Sequence, residues 1–290
     1  FKRVLFRSLD FLMDDTQTPD PNSIFRVNYS LPRNSDDQSR IDALSKFPVL
    51  QHSTLAETTT ISGDGFSSTF SEQDLLGQGK QGSVYLTEDK QAIKVVPVPF
   101  DADYFESLNQ LAVVADALTK CQSENLVPIH AFGFVKREDG TFDSLVIIME
   151  CCDSSLNAMA NTFTGNAEKT MALGKEILSG LLGLHGAQVH HADLKPDNIF
   201  LKNDIAKIGD FNSVVSLQEG KLANLGKFFD RQRVAQILFS TYTGSNFDSY
   251  LQAREIIEGL QTAQAPPKLI QFISDIVSDK KPIEEILTSY

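Results

Sequence analysis

Long hydrophobic runs are missing from this chain of 290 residues. Its longest apolar stretch, Leu145 to Met149 with its flanks, is well short of the roughly 20 residues that a spanning helix needs. A soluble protein is therefore expected, and the excess of acidic over basic residues argues against an anionic membrane as a partner. Cysteine is also scarce. Cys121, Cys151 and Cys152 make an odd number without metal-ligand spacing, which excludes a disulfide framework and suits small buried hydrophobes in a reducing compartment. Positive charge is in deficit, with 26 Lys plus Arg against 38 Asp plus Glu and a formal charge of −12. That balance argues against nucleic acid as a default partner, although it leaves room for a local basic patch. There is no internal repeat. An apolar content of 41% is ordinary for a globular protein, and the length suits one large or two small domains.

What is present centres on His191-Ala192-Asp193-Leu194-Lys195-Pro196-Asp197-Asn198, followed by Asp210-Phe211-Asn212. Two acids and an amide at this spacing, bracketed by strand-like apolar runs, suit a site that holds metal ions against phosphates. Asp193 can orient a hydroxyl and accept its proton, and Asn198 and Asp210 offer hard oxygen ligands for Mg²⁺. Upstream, Gly77-Gln78-Gly79-Lys80-Gln81-Gly82 has the G-x-G-x-x-G pattern, which dinucleotide-binding folds share. Such a loop would there open a helix. Here Ser83 to Leu86 is β-rich, a Glu-Asp-Lys turn follows, and Gln91 to Val96 reads as a second strand.

A glycine loop inside a hairpin, then Ala92-Ile93-Lys94, then the Asp193 and Asp210 stretches in that order, resembles the eukaryotic-type Ser/Thr protein kinase family. The resemblance covers about residues 70 to 290. It implies an α+β, two-lobed protein-kinase-like fold with a truncated C-terminal lobe. It also implies ATP and Mg²⁺ as cofactors and a protein substrate bearing a Ser or Thr hydroxyl. Gly77, Gly79, Gly82, Val84 and Lys94 would then hold the nucleotide. Leu145 to Cys152 resembles the strand and hinge that receive adenine, with Met149 as gatekeeper and backbone groups of Glu150 and Cys152 facing the base. Asp193 and Lys195 would be catalytic, and Asn198 and Asp210 would bind metal. Lys195-Pro196 resembles the serine/threonine form of the loop. Asp230 matches the family's buried aspartate, which hydrogen-bonds the catalytic loop.

The departures are specific. Ala192 stands where many kinases have an arginine that receives an activation-loop phosphate, so activation by such phosphorylation is not expected. The helix expected over Phe105 to Cys121 has Val114 where the family has a glutamate for the strand lysine, and Asp116 is the substitute considered. Asn212 replaces a glycine, and asparagine is among the residues that tolerate a positive φ there. Only 20 positions separate Asp210 from Asp230, with no Ala-Pro-Glu anchor. Lys281 stands where the family has the arginine that pairs with that missing glutamate. Minimal kinases of this kind are known among bacterial effectors, and the resemblance to them is architectural.

Residues 1–70 read as an N-terminal extension and linker, 71–152 as a small lobe and 153–290 as a large lobe. Ser53 to Ser71, rich in Ser, Thr and Gly, reads as flexible. A strand is expected at Ile24 to Tyr29 and a short helix at Ser39 to Phe47. The first eight residues read either as a native basic start or as the conceptual translation of a sequencing adapter. On the second reading the true N-terminus is missing. A monomer in the cytoplasm is expected, or in a host cytoplasm if the protein is a secreted effector. Two rival functions stay open at this point: a pseudokinase scaffold and a small-molecule phosphotransferase.

Overall fold

The computed structural model describes residues from Asp42 onward, apart from residues 43, 56, 80–81, 99–101, 120, 122, 137, 139–141, 214 and 217–220. The strand expected at Ile24 to Tyr29 lies outside the described residues, as do residues 39–41 and 43 of the short helix expected from Ser39 to Phe47; of the rest, Asp42 and Leu44 are helical and Ser45 to Phe47 form a turn. Eight strands form one sheet: β1 (Val49–Leu55), β2 (Thr58–Gly63), β3 (Phe66–Ser71), β4 (Leu75–Gly79), β5 (Gly82–Leu86), β6 (Gln91–Pro97), β7 (Ile129–Lys136) and β8 (Phe142–Glu150). Their spatial order is β3-β2-β1-β7-β8-β6-β5-β4. Helix α1 (Ala102–Thr119) crosses from β6 towards β7, as the apolar spacing after Phe105 predicts.

The flexible linker expected up to Ser71 is instead the β1–β2–β3 meander. Composition misled here, because Ser and Thr suggest a linker while β-branched Thr also favours strands. In β3, Ser68 and Phe70 point inward at period two, and Thr60 meets Thr69 across the pair at 2.9 Å between hydroxyls. β1 joins the sheet parallel to β7, with Val49 opposite Phe134. Gly133 makes the approach possible: a Cβ there would lie 2.7 Å from the Pro48 carbonyl oxygen. The meander curls until Phe70 stacks on Tyr85 at 4.8 Å between centroids.

That curl gives the sheet two buried faces. Leu145 and Ile147 of β8 pack into the main core, while Val146 and Ile148 pack into a second cluster with Leu50, Ile61 and Phe70. A strand covered on both sides reads as a continuous apolar run, which is what Leu145 to Met149 is.

The helical lobe follows, with β9 (Ser154–Ser155), α2 (Leu156–Met159), α3 (Ala167–Gly186), β10 (Val189–His190), β11 (Ile199–Lys202), β12 (Ile205–Ile208), β13 (Val215–Ser216), α4 (Lys221–Thr243), α5 (Ala253–Thr262), α6 (Pro267–Ser278) and α7 (Ile283–Ser289). Asn166 caps α3 by accepting from the Lys169 N–H. Leu178 and Leu181 of α3 are fully buried, together with Leu238 of α4 and Phe272 of α6. Among the described residues no helix is long and apolar enough to cross a membrane.

Helix α4 also caps α6. The last carbonyls of a helix lack intrahelical donors, and Arg231 supplies them to Asp275 (3.0 Å) and Ile276 (3.1 Å). Its guanidinium also reaches the Lys281 carbonyl and the Asp279 carboxylate. Lys281 pairs with Asp275 at 2.7 Å. Replacing Arg231 with Met would strand several buried acceptors. Unfolding in urea should show a loss of about 3 kcal/mol with little change in slope.

Candidate active site

One buried carboxylate organises the loop between β10 and β11. Asp230 of α4 is 1% exposed; it accepts from the backbone N–H of His191 (3.0 Å) and Ala192 (3.2 Å) and from His185 Nε2 (3.0 Å). Burial would push this carboxyl up. The His185 hydrogen bond, the neighbouring imidazoles and the His191 N–H outweigh it and hold the group below its ordinary value. The backbone needs this support, because Ala192 has φ 62°, a left-handed conformation that costs a side-chain-bearing residue about 1 kcal/mol. His191, fully buried, donates from Nε2 to the Gly209 carbonyl at 2.9 Å. This ties the loop to the segment entering Asp210.

Beyond that anchor the polar groups converge. Lys195 Nζ lies 2.7 Å from Asp193 Oδ2. The Asn198 amide nitrogen donates to the Asp193 carbonyl at 2.8 Å, which leaves Asn198 Oδ1 as the atom a hard cation could take. Gly209 N–H donates to the Asn198 carbonyl at 2.9 Å, and Asp210 follows with φ 56°. Lys94 Nζ then meets Asp210 Oδ1 at 3.0 Å, with the lysine side chain only 10% exposed. All five side chains therefore belong to one connected constellation drawn from both lobes. The donor set fits Mg²⁺, which takes one or two protein oxygens and completes its shell with phosphates and water. Among the described residues there is no cluster of three acidic, His or Cys ligands of the kind a closed metal cage would need.

The glycine hairpin lies on β4 and β5, with Gly79 opposite Gly82; its tip, residues 80–81, lies outside the described residues. Gly82 has φ 124°, and a Cβ on it would sit 2.2 Å from the Val95 carbonyl oxygen, so close packing alone demands glycine there. At Gly77 a Cβ would meet nothing within 4 Å. Val84 stands directly opposite Lys94, and Ala92 opposite Met149. Glu150 ends β8, and its backbone N–H donates to the Pro128 carbonyl at 3.1 Å. Cys152 follows, half-buried where full burial was expected, and its thiol is pushed up to about 12, first by burial and then by the Glu150 charge. Such a thiol is unreactive at neutral pH.

Two expectations change. Val114 is 1% exposed within the apolar core, and the ion partner of Lys94 among the described residues is Asp210, not Asp116. The left-handed residue of the turn after β12 is Asp210 itself, while Asn212 lies in the 3-10 turn Phe211–Ser213. Sequence reasoning missed His185 and His190, which flank Asp230, because they carry no motif and only packing brings them there.

A curled sheet over a helical lobe, with a lysine strand, a glycine hairpin and an acidic loop converging between them, defines a protein-kinase-like fold. A family model described as protein kinase domain matches residues 70–245, and the chain belongs to that family. Its relatives include a membrane-associated tyrosine- and threonine-specific cdc2-inhibitory kinase, wee-1.1, of Caenorhabditis elegans. That protein is 29% identical over 55% of this chain and 33% of its own length. The serine/threonine-protein kinase PknH of Mycobacterium bovis is 30% identical over 52% of this chain and 26% of its own. The serine/threonine-protein kinase Nek11 of Macaca fascicularis is 31% identical over 48% and 23%. The chain thus matches between 23% and 33% of the length of these relatives.

His190 gives the anchor a pH dependence. Burial, opposed by the Asp230 charge, holds its imidazole below the ordinary value of 6.5. The unfolded chain therefore takes up that proton first, so the contribution is complete above pH 6.5 and declines as pH falls below it. The depressed Asp230 carboxyl adds a second loss, confined to pH below about 4. Urea unfolding of wild type and His190→Asn between pH 8 and 5 should show a shallower decline for the variant. Parallel curves would refute the assignment.

Proposed function

We propose that this chain transfers the γ-phosphoryl group of Mg²⁺-ATP to a serine or threonine hydroxyl of a protein substrate. The observation that carries the reading is the continuous contact path from Lys195 through Asp193 and Asn198 to Asp210 and Lys94. In this reading Lys94 and the Gly77–Gly82 hairpin bind phosphate oxygens, and Val84, Met149 and the Glu150 and Cys152 backbone enclose the base. Asp193 orients the acceptor hydroxyl and takes its proton. Lys195, held at 2.7 Å from that carboxylate, stands ready to compensate charge on the transferring group. Asn198 and Asp210 would hold Mg²⁺, which supplies neutralisation of the phosphate charge.

Serine/threonine preference is supported by Lys195-Pro196. The Ala192 substitution supports independence from phosphorylation of the short segment after Asn212. A monomer acting in a reducing, cytoplasmic setting suits the three unpaired thiols. A second reading, a nucleotide-binding scaffold without turnover, is favoured by one observation: Val114 is buried where a partner for Lys94 was expected.

Asp193→Asn separates the two. It preserves shape and hydrogen bonding and removes the charge that accepts the proton. Radiolabel transfer from Mg²⁺-ATP should fall about a hundredfold or more, while ATP affinity stays within about threefold. Undiminished transfer by the variant would overturn the mechanism. No transfer by wild type, together with intact ATP binding, would favour the scaffold.

A further inference from the structure

The segment linking the lobes, Glu150 to Asp153, is tied at both ends to a single hairpin. At its far end the Asp153 N–H donates to the Leu201 carbonyl (2.9 Å), and the Asp153 carboxylate accepts from the Asn203 N–H (2.9 Å) and pairs with Lys202 (3.0 Å). At its near end Glu150 Oε2 lies 3.1 Å from Lys207 Nζ. Leu201 and Lys202 belong to β11 and Lys207 to β12, which pair antiparallel from Ile199–Ile208 to Lys202–Ile205. Asn198 immediately precedes this hairpin and Asp210 follows it by two residues, with the Gly209–Asn198 hydrogen bond closing its base. One hairpin is therefore flanked by both candidate metal ligands and grips both ends of the candidate adenine hinge.

The two ion pairs differ in burial. The Lys202 and Asp153 side chains are 31% and 55% exposed, a setting in which an ion pair contributes little. Lys207 is only 10% exposed and Glu150 27%. Glu150 Oε2 itself is shielded from solvent and makes no hydrogen bond, so the Lys207 ammonium, close but off the hydrogen-bond angle, is its compensating charge. Removing one partner of a buried pair leaves a stranded charge, which must move towards water. Here that movement would shift either the end of β8 or the strand leading to Asp210.

We infer that Glu150 and Lys207 form a positioning strut that holds the base end of the nucleotide site at a fixed distance from its metal end. The inference rests on the kinase reading above and adds to it two residues acting through others. A ligand that spans both ends feels the loss of the strut, because sub-ångström misplacement is costly only where both ends must be met at once. A ligand that fills the base end alone does not.

Isothermal titration with Mg²⁺-ATP and, separately, with adenosine tests this on wild type, Lys207→Met, Glu150→Gln and the exchange Glu150→Lys/Lys207→Glu. Lys202→Met serves as the exposed-pair control. The Kd for Mg²⁺-ATP should rise about tenfold in each single variant, equivalent to about 1.4 kcal/mol. Adenosine affinity should stay within about twofold, the exchange should recover most of the loss, and Lys202→Met should match wild type. Glu150→Gln keeps the side-chain shape and carries the test if Lys207→Met does not fold. Equal losses for both ligands, or a fall in thermal stability with unchanged Mg²⁺-ATP affinity, would reduce the pair to a structural role and overturn the inference alone. A wild type that binds neither ligand would overturn the kinase reading and the inference together.

Discussion

The buried carboxylate of Asp230 is the constraint on which the rest of the site depends. A charge at 1% exposure is tolerable only if its lone pairs are filled, and two of its donors are backbone N–H groups of the loop that bears Asp193. Helix α4 thereby dictates the path of that loop, including the left-handed turn at Ala192 that an alanine would not adopt unaided. The next links are equally direct: His191 to the Gly209 carbonyl, Gly209 to Asn198, and Asp210 to Lys94. Through them the position of a strand lysine in one lobe follows from the position of a helix in the other.

The trimmed helical lobe keeps those interactions and omits others. Lys281, which stands at the position of the family's arginine, pairs with Asp275, an acid six residues away on α6. Arg231, adjacent to Asp230, satisfies the end of the same helix. Consecutive residues of α4 thus serve the Asp193 loop on one side and the C-terminal helices on the other. A lobe without a long activation segment still has a reason to keep this helix central.

The small lobe is enlarged. Three additional strands cover the outer face of the sheet, so β8 is buried on both sides and Phe70 closes against Tyr85. Ile93, the neighbour of Lys94 in β6, is fully buried in the cluster that the added strands complete.

Much of this was legible in the residues themselves. The order of glycine hairpin, lysine strand, Asp193 loop and Asp210 turn specified the fold, since each motif works only on a particular strand or loop. Helix periodicity located α1 to within a few residues. Composition failed at residues 49–71, where hydroxyl-rich strands resemble a linker until a partner sheet is there to bury Ser68 and Phe70. Equally invisible were the partner of Lys94, the histidines around Asp230 and the pairing of Glu150 with Lys207. Each joins residues dozens of positions apart, and a charge names its partner only when folding excludes water and leaves one counter-charge within reach. Local chemistry and spacing determined which residues could act. Burial and long-range packing decided which of them meet.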